Sequence, residues 1–155
     1  MSILPLAQYR IATRIDLPAI VGMLAEDDLG AQREHFEMPL PQAYYEAFEA
    51  IDIDSNHELI VAEIDGEVIG TLHLMFLPSL SYQGGMRAQV ESVRVVGRLR
   101  GKGMGGEMMK WAIERARGRG CRLMQLTSHK SRTDAHRFYE RLGFTKSHIG
   151  MKINL

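Results

Sequence analysis

The chain has a single cysteine, Cys121, so it cannot close an internal disulfide, and nothing in it calls for an oxidising compartment. No apolar run approaches the length of a membrane span, and residues 1–12 carry no secretory hydrophobic region. A soluble, cytoplasmic protein with no membrane partner is the expectation. Aromatic residues make up only 7% and are not interleaved with basic ones, which argues against stacking on nucleic acid. There is no cluster of metal-ligating residues and no recognisable nucleophile triad, so no metal is expected. Internal repeats and low-complexity tracts are absent too.

What is present suits a mixed α/β domain. A length of 155 residues is enough to bury a core and short for two domains, so one domain over residues 1–155 is expected. Gln8 to Ile15 reads as a strand. Asp16 stands where a helix N-cap would, followed by Pro18 and the stripe Leu17, Ile20, Val21 and Leu24, with Gly30 as the stop. Residues 41–50 suggest a second helix. Two apolar runs, 59–62 and 68–74, are joined through Asp65-Gly66, a hairpin signal. The Val-rich run 90–96 leads into glycines, and the segment after them carries Met108, Met109, Ala112, Ile113 and Ala116 on one helical face. A strand over 121–127, a short helix closing at Gly143 and a last strand over 148–154 complete the order β-α-α-β-β-β-α-β-α-β.

Charge is unevenly shared. Residues 1–69 hold 14 acids against three arginines, and residues 70–155 hold 16 Lys and Arg against five acids. Either the halves attract one another, or the basic half receives a polyanion while the acidic half gathers a cationic substrate.

The run Arg100-Gly101-Lys102-Gly103-Met104-Gly105-Gly106 lies between a strand and a helix. Backbone N–H groups at a helix start have no intrahelical partner, and glycines let an anion approach them, so this reads as a phosphate cradle with Arg98, Arg100 and Lys102 beside it. Gly101, Gly103 and Gly106 also fit the dinucleotide pattern G-x-G-x-x-G, but the next strand supplies no acid for a ribose. The P-loop pattern fails on spacing and on Gly103, where it needs Ser or Thr.

The third pattern, [RQ]-x-x-G-x-[GA], is met by Arg100, Gly103 and Gly105. About 35 residues on, Ala135-His136-Arg137-Phe138-Tyr139-Glu140-Arg141-Leu142-Gly143-Phe144 has the form A-x-x-[FL]-Y-[EK]-[KR]-x-G-F. With both motifs in this order, the chain resembles the GCN5-related N-acetyltransferases (GNAT) over nearly its whole length. The resemblance implies a central, mostly antiparallel twisted sheet flanked by helices. It implies acetyl-coenzyme A as cosubstrate and direct acetyl transfer to a primary amine. It also implies Tyr139 as the acid that protonates the departing thiolate, though Ala135, Phe138, Tyr139 and Leu142 fit a core stripe as well. Val93 and Val95 are implied as the backbone that pairs with the pantetheine arm, and residues 101–106 as the pyrophosphate cradle. Lys130, Arg132 and Arg137 are candidates for the 3′-phosphate, and Arg132 stands where many relatives have Asn.

Glu91 is the candidate base, in a register where alternation puts it on one face with Val93 and Val95, and His73 is its rival. A small cationic amine is the expected acceptor. A protein N-terminus or lysine, or a regulator that binds acyl-coenzyme A without turnover, are the alternatives. A homodimer is the expected assembly.

Overall fold

The computed structural model describes residues 6–155. Strand β1 (Gln8–Ile11) is followed by helices α1 (Leu17–Ala25), α2 (Asp28–Arg33) and α3 (Gln42–Asp52). The chain then forms β2 (His57–Ile64), β3 (Glu67–Leu77), β4 (Arg87–Val95), α4 (Met104–Gly118), β5 (Leu123–Gln125) and α5 (Thr133–Arg141). The five strands make one sheet in the order β1-β2-β3-β4-β5, antiparallel except for the β4–β5 pair. This is the mixed α/β class read from the sequence.

Each face of the sheet buries its own helices. Leu72, Leu74, Phe76 and Val90 pack with Met108, Met109 and Ala112 of α4, while Val61 packs on the other face with Ile20, Val21 and Phe48. Alternation along β3 and the apolar stripe of α4 account for the first layer, although Ile113 is only half-buried. Asp65 and Gly66 join β2 to β3 with φ of 51° and 81°, the left-handed pair that a two-residue hairpin turn needs.

Several elements depart from the sequence reading. The first strand stops at Ile11, because Asp16 belongs to a separate 3-10 turn, Arg14–Asp16. Its carboxylate does not cap α1; it accepts the Thr13 N–H at 2.7 Å and both terminal nitrogens of Arg10. Gly30 does not end a helix. It lies inside α2, where a Cβ would fall 1.9 Å from the Leu24 carbonyl oxygen, so close helix contact requires glycine there. The strand expected over 121–127 is only three residues long. The last expected strand, over 148–154, is not formed, and that segment has no regular structure.

Candidate active site

Two features of β4 open a slot in the sheet. Its parallel pairing with β5 covers only Arg87–Gln89 against Leu123–Gln125, so from Val90 onward one edge of β4 faces no strand among the described residues. An extended polar arm can pair with such an edge. On the other edge the register to β3 shifts: Thr71 faces Arg94 while His73 faces Glu91, leaving one extra residue on β4. Ser92 absorbs it with a φ of 54°, a left-handed value uncommon outside glycine.

This bulge corrects the expected register of Glu91. Val93 and Val95 pack with Val90 against the α4 core, whereas Glu91 lies opposite His73 on the other face, with Arg94 beyond the bulge. Simple alternation cannot survive an inserted residue. Gln125 donates to Gln89 at 2.8 Å, and Gln89 donates to Glu91 at 2.6 Å, so a chain of amides fixes the carboxylate. His73 Nε2 lies 2.9 Å from His57 Nδ1, one ring donating and the other accepting. Neither glutamine nor His57 was singled out from the sequence, because only the strand register reveals their convergence on Glu91.

At the far end of the slot, the glycine loop opens onto α4. Gly101 and Gly103 have φ of 73° and 88°, and Cβ atoms placed on Gly101, Gly103 or Gly106 would meet nothing within 4 Å. The N–H groups of the first helical turn are therefore open to an anion, as the family's cofactor would require. Gly105 instead rests on the Phe138 ring, 3.5 Å from a placed Cβ, and the Met104 side chain is buried, so these two face the cofactor side only through backbone. Lys102 borders a groove of about 930 Å³ that runs past Gly103 along Tyr9, Glu107 and Trp111.

The remaining expected site residues separate into two groups. Arg100 donates to the Val95 carbonyl at 3.1 Å and pairs with Glu26, while Arg94 donates to the Val93 carbonyl at 2.9 Å. Arg132 pairs with Asp27 beside them. Arg98 is drawn away to Glu67 at 2.6 Å, Arg137 pairs with Asp134 within α5, and Lys130 is exposed in the loop before α5.

Tyr139 is half-buried, its ring edge-on to Phe138 and Phe144 with centroids 5.0 and 5.9 Å away. Burial raises its pKa above the usual 10.0, with Arg94 and Arg132 pulling the other way, so the phenol stays protonated at neutral pH. Burial also lowers the pKa of Arg94, as does Arg132. The Arg94 Nε is buried without a hydrogen-bond partner among the described residues, and so is Arg87 Nε at the start of the same strand. Arg94 was not picked out from the sequence; an arginine on a strand gives no signal until the bulge turns it toward Arg132.

A splayed parallel pair, an open glycine loop and a protonated phenol beside them define a scaffold for transfer from an extended, phosphate-bearing cofactor. Residues 26–144 match the model of the Acetyltransferase (GNAT) family, and the chain belongs to that family. It is 30% identical over 150 residues to the aminoalkylphosphonate N-acetyltransferase of Salmonella typhimurium, covering 95% of this chain and 90% of that protein. A solved structure described as a transcriptional regulator from Bacillus halodurans is 50% identical, with a TM-score of 0.94, over 97% of this chain and all of that one (100%). An acetyltransferase from Clostridium acetobutylicum, solved with acetyl-coenzyme A, shares the fold at 17% identity and a TM-score of 0.74, over 96% of each chain. The chain is an acetyl-coenzyme A-dependent acyltransferase. No helix among the described residues is long and apolar enough to cross a membrane.

Proposed function

We propose that this protein, as one domain over residues 1–155, acetylates the primary amine of a small acceptor that also carries an anionic group. The observation that carries the reading is a pair of mutually repelling cations near Tyr139, Arg94 and Arg132, of which Arg132 pairs with Asp27 while the Arg94 Nε finds no hydrogen-bond partner among the described residues. Like charges that are partly buried together cost free energy, and an anionic group on the acceptor offsets it. The named activity of the Salmonella relative, on aminoalkylphosphonates, points the same way.

The cationic acceptor expected from charge balance has less support. Of the acids in the overhanging region, Glu26 and Asp27 are paired with arginines and Glu34 accepts from Tyr44 at 2.8 Å. Glu58 holds Arg115 and Arg119, and Glu67 holds Arg98. The acidic half thus spends much of its charge on the basic half, which was the alternative account.

In this reading the open N–H groups of residues 101–106 and the free edge of β4 at Val93 and Val95 hold acetyl-coenzyme A, with Arg100 shaping that edge and Lys102 beside the phosphates. Bound there, it supplies an acetyl thioester. Glu91, oriented by Gln89, accepts the proton of the acceptor's ammonium, because an amine with pKa near ~10 is mostly protonated at neutral pH. Tyr139 donates its proton to the leaving thiolate, a modest task since thiol pKa values lie near ~8.5. Arg94 and Arg132 hold the acceptor's anion and so fix where its amine sits. Arg98 and Arg137, each turned to a carboxylate, contribute less to phosphate binding than Lys130, which is left to reach the 3′-phosphate.

Thiol release from acetyl-coenzyme A, followed across an amine panel, tests this. Aminoalkylphosphonates and amino acids should exceed polyamines in kcat/KM, and Arg94→Gln should raise the KM of the anionic acceptors alone. Polyamines acetylated best, with Arg94→Gln silent, would overturn it. A second reading, a regulator that binds acyl-coenzyme A, is favoured by the description of the Bacillus halodurans structure; tight binding without turnover on any amine would favour it.

A further inference from the structure

We infer that the acceptor site continues along β4 as far as Arg87, whose guanidinium receives a second, distal carboxylate, so that the preferred acceptors are amino diacids. The inference rests on the anionic acceptor proposed above and narrows it.

The pairing of β4 with β3 is regular from Arg87 to Glu91, so Arg87, Gln89 and Glu91 alternate onto one face of the sheet. The bond from Gln125 to Gln89 puts Gln125 on that face as well, and with it Leu123 two residues back. Met75 and Leu77, the cross-strand partners of Gln89 and Arg87, complete it. The opposite face of the same strands is closed: Leu74, Phe76, Ala88 and Val90 are at most 1% exposed against α4. Met75, Leu77, Arg87 and Gln89 are only half-buried, and Met75, Leu77 and Leu123 join neither packed core. The result is an open strip with Glu91 at one end and Arg87 at the other.

Arg87 is the residue of that strip that the fold does not explain. Its Nε is buried without a partner among the described residues, and both of its cross-strand neighbours, Leu77 and Leu123, are apolar. Next along the strip come Met75 and Gln89, the latter bonded to Glu91, so none of these neighbours neutralises the charge. A guanidinium between two leucines costs free energy on its own, and its flat fork matches a carboxylate. One cation calls for one negative charge, which favours a carboxylate over a doubly charged phosphate. Arg87 to Glu91 spans about 13 Å of strand, which the two side chains and a diacid of a few methylenes divide between them. The amine then lies at Glu91, the first anion at Arg94 and Arg132, and the second at Arg87.

Thiol release measured with glutamate, α-aminoadipate and α-aminopimelate, each beside its ω-amide, tests this. The diacids should exceed their amides in kcat/KM by about tenfold or more, the worth of a charge-assisted pair. Arg87→Met should erase that preference through the KM of the diacid. It should also raise the melting temperature, because a buried charge without a partner is removed. Diacids and amides acetylated equally well by the native protein would overturn the inference and leave the anionic acceptor standing. A preference that survives Arg87→Met would overturn it too, as would a lower melting temperature, which would make Arg87 a support of the fold. A change of sedimentation mass in Arg87→Met would mean that a second copy covers the strip, with the same consequence. If no amino acid is acetylated at all, the anionic acceptor itself fails and the inference with it.

Discussion

The ring nitrogens of His57 and His73 lie 2.9 Å apart, and His73 is in turn the cross-strand partner of Glu91. Burial holds the pKa of His73 below the ordinary 6.5; His57 acts in the same direction and Glu91 against it. His73 is therefore neutral at pH 7. The unfolded chain takes up this proton near pH 6.5 and the folded chain only at lower pH, so the unfolded state binds more protons between the two values. Stability is then complete above pH 6.5 and declines as pH falls below it. His73→Leu should flatten that decline in thermal denaturation between pH 7.5 and 5.5. Equal slopes for the two proteins would show that His73 titrates as in the open chain.

The same geometry separates the two candidate bases. Glu91 sits on the exposed rim of the slot, while His73 is further in and already bonded to His57. Glu91→Gln should lower kcat by about 10² or more, the usual contribution of a positioned base, with acetyl-coenzyme A affinity unchanged. His73→Leu should cost much less. The reverse order would make His73 the base.

Tyr139→Phe keeps both edge-on aromatic contacts and removes one proton donor. It should reduce kcat by about tenfold to a hundredfold with little change in the KM for acetyl-coenzyme A, because the hydroxyl acts on charge that develops late. An unchanged kcat with chemistry rate-limiting would leave Tyr139 as a packing residue.

Two glycines of the cradle should respond differently. Gly103 has a left-handed φ, so Gly103→Val combines strain, costing about 1–2 kcal/mol, with obstruction of the cofactor. Gly106 is helical with open space beside it, so Gly106→Leu should leave the fold at least as stable yet weaken acetyl-coenzyme A binding at least tenfold. Calorimetry and melting curves on the pair read the two effects apart. Full affinity in Gly106→Leu would place the phosphates elsewhere.

Much of the fold was legible from local pattern. The Asp65-Gly66 hairpin, the α4 stripe and the glycine loop each carry a period or a turn residue that physics reads directly. What was not legible depends on contacts distant in sequence. Asp16 looks like a cap until Arg10 and Thr13 claim its carboxylate. Gly30 looks like a stop until the Leu24 carbonyl is seen against it. Glu91 keeps its apparent face until the bulge at Ser92 shifts the register, and that bulge has no signature in the Val-rich run. The segment 148–154 has the alternating pattern of a strand, but pattern alone supplies no neighbouring edge, and the segment has no regular structure.

The sharpest test of acceptor charge is at Asp27. Burial pushes its carboxyl up, yet bonds from Arg132 and the Gly30 N–H, at 2.6 Å, outweigh this and hold it below the usual 3.8, so it is ionised at neutral pH. Asp27→Asn keeps the cap on α2, since asparagine accepts from the Gly30 N–H about as well, and removes the negative charge that pairs with Arg132 and attracts Arg94. The local field becomes more positive without loss of the loop. If the acceptor's anion binds there, its KM should fall severalfold, and added salt should erase the gain by screening over about 8 Å at physiological ionic strength. A cationic acceptor drawn by the acidic half would respond oppositely, its KM rising in Asp27→Asn. The sign of that change, measured for one phosphonate amine and one polyamine, decides which charge the site was built to receive.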